Sequence, residues 1–242
     1  MRLVQLNAWG GRLEHQVADL LRDEAADFVC LQEIISTKGS GALAIPLEKL
    51  QSNLGYGHSF MSPAFSFNLM NNKATFGNAT LSEFPFDIQK TIFTNLEYQE
   101  DFDFDSYDYN IRNLQHAQVN INGKKLHILN HHGHHVHQHK HGDEHTLRQM
   151  KQIATYLERL DGPIVLAGDF NLAPDCESLQ VLNAVLRNLS VEYKLQTTRT
   201  ELTAKKEVCD YIFVNDAVNV TDFRMSTKLA SDHAALIMDF EV

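Results

Sequence analysis

Cysteine is scarce in this chain, and the three present, Cys30, Cys176 and Cys209, form neither a CxxC pair nor an even framework. A disulfide scaffold is thereby excluded and a reducing compartment favoured. No stretch approaches the roughly 20 apolar residues that a membrane-crossing helix requires. The first residues enter an alternating strand pattern without the charged, apolar and small-residue regions of a secretory leader. With Met1 taken as the natural start, these absences predict a cytoplasmic protein with no membrane span. Basic residues are outnumbered as well, 21 Lys and Arg against 31 Asp and Glu, giving a formal charge of -10 and a pI near 5.7. That balance disfavours a broad nonspecific nucleic-acid surface but is compatible with a local basic or metal-filled cleft. Linkers, repeats and low-complexity tails are also missing.

What is present is an apolar fraction of 43% over 242 residues, enough to bury a substantial core. Leu3 to Asn7 alternates as a strand, and Val17, Leu20 and Leu21 with Glu24-Ala25 recur at helical spacing. Phe28 to Leu31 reads as a buried strand that delivers Gln32 and Glu33 at its end. Leu43, Leu47, Leu50 and Leu54 predict a second helix, stopped by Gly55 and Gly57. Strands are predicted at 79–81, 88–93, 117–121 and 126–130, the last two joined by a turn at Gly123-Lys124. A helix capped by Asp143 then follows, with its apolar face running from Leu147 to Leu160. Leu179, Leu182, Val185, Leu186 and Leu189 predict another helix, and final strands cover 210–214 and 234–240. Acids, amides and histidines recur at the strand ends, which favours a single domain over residues 1–242 with one composite cleft.

The most informative of those ends is Gly168-Asp169-Phe170-Asn171, carried on the apolar run from Pro163 to Ala167 and answered by Ser231-Asp232-His233. On a strand the period is two, so Asp169 and Asn171 are expected on one side and Phe170 on the other. Carboxylate and amide oxygens suit a hard cation, and an ionised carboxylate can orient or deprotonate water. Glu33, directly after a buried strand, must be solvent-facing, paired or ligating, because an isolated buried charge is too costly. Asn7 is either a turn cap or part of a ligand set. Asp232 and His233 are adjacent, so Asp210 is the better partner for the imidazole.

Taken in order, Leu6-Asn7-Ala8-Trp9, Leu31-Gln32-Glu33, Asn130-His131-His132, Gly168-Asp169-Phe170-Asn171, Cys209-Asp210-Tyr211-Ile212-Phe213 and Ser231-Asp232-His233 resemble the endonuclease/exonuclease/phosphatase superfamily over essentially the whole chain. The resemblance implies a DNase I-like α/β fold, a four-layered α/β/β/α sandwich of two packed mixed sheets. It also implies Mg2+- or Mn2+-assisted water attack on a phosphoester. Carried over residue by residue, Glu33 would be the main metal ligand, with Asn7 and Asp232 as direct or supporting ligands. Asp210 would orient His233, a general base or charged phosphate ligand, and Asp169 would orient or deprotonate the water. Asn171 would hold a phosphate oxygen or the metal surroundings. His132 would donate to a phosphate oxygen or the leaving group, with Asn78 orienting it and Arg112 clamping phosphate, while His131 points inward. Lys140 would contact an anion. Trp9 stands where the abasic-site nucleases have aspartate, which weakens a DNA-repair assignment.

Two segments bear on substrate. Eight of the thirteen histidines fall between His131 and His145, as a zinc or nickel site, a polar lip facing the substrate, or plain surface. Between Glu97 and Asn110, six carboxylates alternate with five aromatic rings. Bordering the cleft, this segment would repel a long phosphate backbone and pack against a small organic group; elsewhere, its rings complete the core. The sequence thus predicts a monomeric metal-dependent hydrolase of a small phosphoester. A DNA or RNA nuclease is the close alternative, sphingomyelinase-like and inositol-phosphatase-like activities rank lower, and a non-catalytic binding protein is the alternative from another class.

Overall fold

Alternation in the first strand sets the layering of the molecule. Val4 and Leu6 face one way into a core under the helices, whereas Leu3 joins a second core with Phe28, Cys30, Ile128 and Val165. The computed structural model describes residues 1–37, 47–105 and 108–242. Strand β1 (Arg2–Asn7), helix α1 (Glu14–Glu24) and strand β2 (Phe28–Thr37) form a crossover whose two strands are parallel. Helix α2 (Leu47–Leu54) and strands β3 (His58–Leu69) and β4 (Asn72–Ser82) follow. Strands β5 (Phe86–Asn95), β6 (Arg112–Ile121) and β7 (Lys124–His132) pair antiparallel in sequence. Helix α3 (Glu144–Leu157) then crosses to β8 (Ile164–Asp169), which lies parallel to β7. The chain finishes with α4 (Glu177–Asn183), β9 (Arg187–Asn188), α5 (Leu189–Glu192), β10 (Asp210–Val214), β11 (Asn219–Met225) and β12 (Leu236–Glu241).

The strands form two mixed six-stranded sheets, in the orders β11-β12-β1-β2-β4-β3 and β5-β6-β7-β8-β10-β9. Helices flank them, as expected of a DNase I-like α/β fold. Val17, Leu20 and Leu21 of α1 pack on one sheet with Val29 and Leu31, while Met150, Ile153 and Leu157 of α3 pack on the other with Leu129 and Leu166. Asp143 caps α3 as expected: its carboxylate accepts from Thr146 N at 2.9 Å, and Thr146 Oγ1 accepts from Asp143 N at 2.7 Å.

Between the sheets the filling changes from apolar to polar along the strands. Toward the C-terminal ends of β1, β2 and β7 and the start of β6, the apolar core gives way to Gln5, Gln32, Asn130 and Gln115, all fully buried. Gln5 Nε2 donates to Gln32 Oε1 at 2.9 Å, and Gln32 Nε2 donates to Asn130 Oδ1 at 2.8 Å, crossing from one sheet to the other. Asn130 Nδ2 lies 3.0 Å from the carbonyls of Leu31 and Ala79, where the β2–β4 register shifts. Such groups are tolerated in a dry interface because they satisfy one another.

The structure departs from the sequence expectations at the least apolar elements. Strand β3 carries Pro63 and was not predicted; the proline is accommodated because β3 is an edge strand and its register with β4 shifts between Pro63 and Phe65. Strand β11, also unpredicted, is the opposite edge and buries only Phe223, so it lacks an alternating signal. The helix predicted from Leu179 to Leu189 ends at Asn183. Arg187 and Asn188 instead pair with Val214 and Phe213 of the second sheet, and the Asn188 side chain caps α5. β12 starts at Leu236, not Ala234. Leu43 lies outside the described residues.

Removing a member of the buried amide layer strands its partners in the interface. Asn130→Ala is expected to lower unfolding stability by about 2–3 kcal/mol, the cost of leaving buried polar groups unsatisfied. Chemical denaturation measures this, and a loss within error of a surface substitution would contradict it.

Candidate active site

Topology gathers the polar residues at one edge. The parallel strands β1, β2, β7 and β8 present Asn7, Glu33, His132 and Asp169 at or near their C-terminal ends. Their antiparallel neighbours bring their beginnings to the same edge: Arg112 opens β6, Asp210 opens β10 opposite Asp169, and His233 precedes β12. The close pairing of β8 with β7 depends on Gly168, since a Cβ there would stand 1.9 Å from the carbonyl oxygen of its partner His131.

Glu33 is more unusual than a residue at a strand end. Strand β2 continues to Thr37, and Glu33 lies at a bulge between Leu31 and Ile34 with φ of 55°. The bulge turns its carboxylate toward the cleft at a local cost in backbone strain. Asn171 also takes a left-handed φ of 56°, so β8 ends at Asp169 and the expected strand alternation stops there. Phe170 nonetheless enters the core as expected.

A cleft of about 230 Å³ is lined by Trp9, Glu33, Arg112, His132, His135, Asp169, Asn171, Arg199, Lys205, Asp232 and His233. Seven of the residues expected from sequence are therefore in one depression, and three more stand directly behind it. Asn7 Nδ2 donates to Glu33 Oε1 at 3.0 Å and to Asp169 Oδ2 at 3.1 Å, while its oxygen accepts from Trp9 N at 3.0 Å. Asp210 Oδ2 lies 2.8 Å from His233 Nδ1, and Lys140 Nζ donates to Asn171 Oδ1. Asn78 is the exception. Its amide donates to the carbonyl and side-chain oxygens of Asn113 at 3.3 and 3.1 Å, and it is not among the residues lining the cleft.

Electrostatics follow from burial opposed by neighbours. Burial would raise the Asp169 pKa, but His233, His132, Arg199 and Lys140 hold the carboxylate well below its ordinary range. Burial pushes Glu33 up, against the hydrogen bond from Asn7. Burial, reinforced by Arg112, pushes His132 well below the ordinary imidazole value, leaving a neutral ring whose Nε2 lies 3.8 Å from Glu33 and 3.9 Å from Asp169. Burial also lowers Lys140. At His233 burial is outweighed by Asp210 and Asp169, which raise the imidazole well above its usual value. Arg199 Nη1 nevertheless abuts His233 Nε2, an arrangement in which Nε2 accepts and Nδ1–H is donated to Asp210.

Arg199 was not expected. It sits in a polar stretch without apolar periodicity, and a long-range backbone bridge to His233 brings it to the cleft. It reaches Asp232 at 3.3 Å. Among the described residues, its Nε and that of Arg112 are buried without a hydrogen-bond partner, two unspent donors on residues of the same site. Trp9, the only tryptophan, and Lys205 also line the cleft.

The histidine-rich segment does not form one site. His131 is buried, with Nδ1 3.1 Å from the carbonyl oxygen of Asn113; His134 stacks on His145; and His139 and His141 are exposed. Among the described residues, one grouping of candidate metal-ligating side chains falls within 4.8 Å: Asp169, Cys209, Asp210 and His233. Such a set can coordinate a metal ion. Asp210, however, already accepts from Thr198 at 2.6 Å and Gln5 at 3.1 Å besides facing His233, and thiol plus imidazole suit zinc better than magnesium. Glu33 and Asp232 offer carboxylate oxygens on the open cleft wall.

A model of the Endonuclease/Exonuclease/phosphatase family matches residues 4–233. No curated protein matches the chain. Among solved structures, an endonuclease/exonuclease/phosphatase from Beutenbergia cavernae is similar over 100% of this chain and 71% of its own, at 19% identity and a TM-score of 0.71. A mannosyl-6-phosphatase from Bacteroides thetaiotaomicron is similar over 100% of both chains, at 14% identity and 0.72. A humanised D. rerio TDP2 covers 100% of this chain and 99% of its own, at 17% identity and 0.70. At these identities the structural likeness establishes the fold.

The opposing influences on His233 give a signed prediction. Its titration midpoint, followed by histidine NMR, is expected above the ordinary imidazole value of about 6.5. Asp210→Asn removes a stabilising negative charge and should lower it, whereas Arg199→Gln removes a competing cation and should raise it. Midpoints unchanged in both variants would contradict this electrostatic picture.

Proposed function

The chain belongs to the endonuclease/exonuclease/phosphatase family, and from that premise we propose that residues 1–242 form one catalytic domain hydrolysing a small phosphoester with magnesium or manganese. The observation that carries this reading is the cleft in which Arg112 and Arg199, each with a buried Nε that has no partner among the described residues, stand beside Asp169 and His233, with Asp210 behind His233. Buried donors without partners are costly, and a phosphate oxygen satisfies them.

The oxygen donors of Glu33 and Asp232 fit a hard divalent cation, with Asn7 steering Glu33 through its amide nitrogen. When bound, such an ion offsets charge on the phosphoryl oxygens and acidifies water. Arg112 and Arg199 grip the phosphate, and the displacement of Arg199 toward it frees His233 Nε2 to carry a proton and act as a charged phosphate ligand. Asp169, ionised and held by Asn7 and the Asn171 backbone N–H at 2.9 Å, orients the water and takes its proton as the bond to phosphorus forms. Neutral His132 donates a ring N–H to the ester oxygen. Asn171 is held by Lys140 toward a second phosphate oxygen. Water is thereby added across the bond: its oxygen ends on phosphorus, the ester oxygen leaves with the electron pair and is protonated from solvent, and Asp169 releases the proton it took.

Small substrates are favoured over nucleic acid by the size of the cleft and by the segment beside it. Phe104 and Tyr109 border a cavity that shares Glu33, Arg112, His132 and His135 with the cleft, and exposed acids such as Asp101 and Asp105 surround them. A duplex would meet that negative lip with many phosphates. The neighbour named as a mannosyl-6-phosphatase is in keeping with a compact ester. One chain supplies every residue of the cleft, so a monomer suffices, and the three free, buried cysteines accord with the cytoplasm. No helix among the described residues is long and apolar enough to cross a membrane.

Purified protein is expected to hydrolyse activated phosphoesters with magnesium or manganese and to stop in chelator. Asp169→Ala and His233→Ala should each reduce turnover by roughly 10²–10⁴-fold with folding intact, and Glu33→Gln should chiefly raise the metal concentration required. Undiminished turnover in all three variants would overturn these roles.

A further inference from the structure

Beside the charged cleft lies a cavity of about 540 Å³ with a different lining. Its walls are Ile35, Phe65, Phe67, Phe76, Phe104 and Tyr109 with His137 beside them, and it meets the cleft through Glu33, Arg112, His132 and His135, which border both. The two form one depression with a polar and an apolar lobe. Phe65 stacks on Phe76, with ring centres 4.9 Å apart and planes 14° from parallel, and on the buried Phe102 at 4.3 Å. Phe104 stands edge-on to Phe67 at 5.2 Å and to Phe65 at 6.0 Å. The inner rings are fixed in the core, whereas Phe104 and Tyr109 remain 44% and 47% exposed at the rim. The Tyr109 hydroxyl is engaged by the carbonyl oxygen of Phe104 at 3.2 Å and holds the rim together.

The lining decides what fits. Ile35 and four phenylalanines offer no partner for the hydroxyls of a sugar or the polar edge of a nucleobase, which would be desolvated without compensation. Five of the lining residues carry phenyl or phenol rings, and aromatic rings pack favourably on one another, offset or edge-on. A polar-rimmed apolar recess opening on a phosphate-binding wall has the form of a substrate pocket. Resting on the hydrolase reading above, we propose that this lobe binds the organic part of the substrate and that this part is an aromatic ring, making the substrate an aryl-bearing phosphate ester.

Non-hydrolysable phosphonates test the lobe without requiring turnover. Phenyl-, cyclohexyl- and methylphosphonate are titrated calorimetrically into the full chain with magnesium present. Phenylphosphonate is expected to bind roughly tenfold or more tightly than methylphosphonate, because its ring is buried in the lobe, and more tightly than the size-matched cyclohexyl compound. Phe104→Ala and Tyr109→Ala, both at the exposed rim, should shrink the phenyl advantage and leave methylphosphonate binding unchanged. Equal binding of phenyl- and methylphosphonate, or of phenyl- and cyclohexylphosphonate, overturns the proposal, as does failure of all three to bind. A phenyl preference in a protein that hydrolyses no phosphoester would uphold the lobe while sinking the hydrolase reading; hydrolysis without that preference would do the reverse.

Discussion

The buried amide layer between the two sheets is the interaction on which the site depends. Glu33 and Asn7 belong to one sheet, His132, Asp169 and Asp210 to the other, and apolar packing alone fixes neither sheet's position to the accuracy chemistry requires. Hydrogen bonds do. The chain from Gln5 through Gln32 to Asn130, and the second contact of Gln5 with Asp210 at 3.1 Å, lock the sheets together directly beneath the cleft. Asn7 repeats the device one layer higher by bonding Glu33 and Asp169 at once. The transition from leucine and isoleucine to glutamine and asparagine along the same strands is therefore continuous with the site above it.

That site concentrates opposite charges in little water. Glu33, Asp169, Asp210 and Asp232 stand among Arg112, Arg199, Lys140 and His233, and each is bearable only through the others. Two kinds of reserve remain. Arg112 and Arg199 keep unpartnered donors, and Glu33 keeps a carboxylate whose pKa burial has raised. An anion would satisfy the first and a cation would favour the ionised form of the second, in keeping with the metal-assisted hydrolysis of a phosphoester proposed above.

Much of this was legible in the sequence, for identifiable reasons. Asp169, Asp210 and His233 follow or open strongly apolar strands, so their placement at one edge could be inferred from periodicity and order. Glu33 was located but its bulge was not, because a single extra residue leaves no periodic signature. Asn78 was read as a neighbour of His132, whereas its amide is spent on Asn113. Arg199 left no trace, since only the folded backbone brings it beside His233. The segment from Glu97 to Asn110 divides between the two readings open to it: Phe102 completes a core cluster, while Phe104 and Tyr109 line the cavity at the cleft. The histidine run divides in the same way: His132, His135 and His137 border the cleft or the cavity beside it, as the polar-lip reading expects, while His139 and His141 are plain surface.

The account's central claim is that the cation belongs to the open carboxylate wall and the phosphate to the arginines, with the Asp210–His233 pair left free for protons. The most direct measurement is a crystal structure of the protein with manganese and a phosphate analogue, the metal located by anomalous scattering. The claim predicts a manganese peak at the Glu33 carboxylate and analogue oxygens on Arg112 and Arg199. A peak enclosed by Asp169, Cys209, Asp210 and His233, or an anion bound away from both arginines, would contradict it.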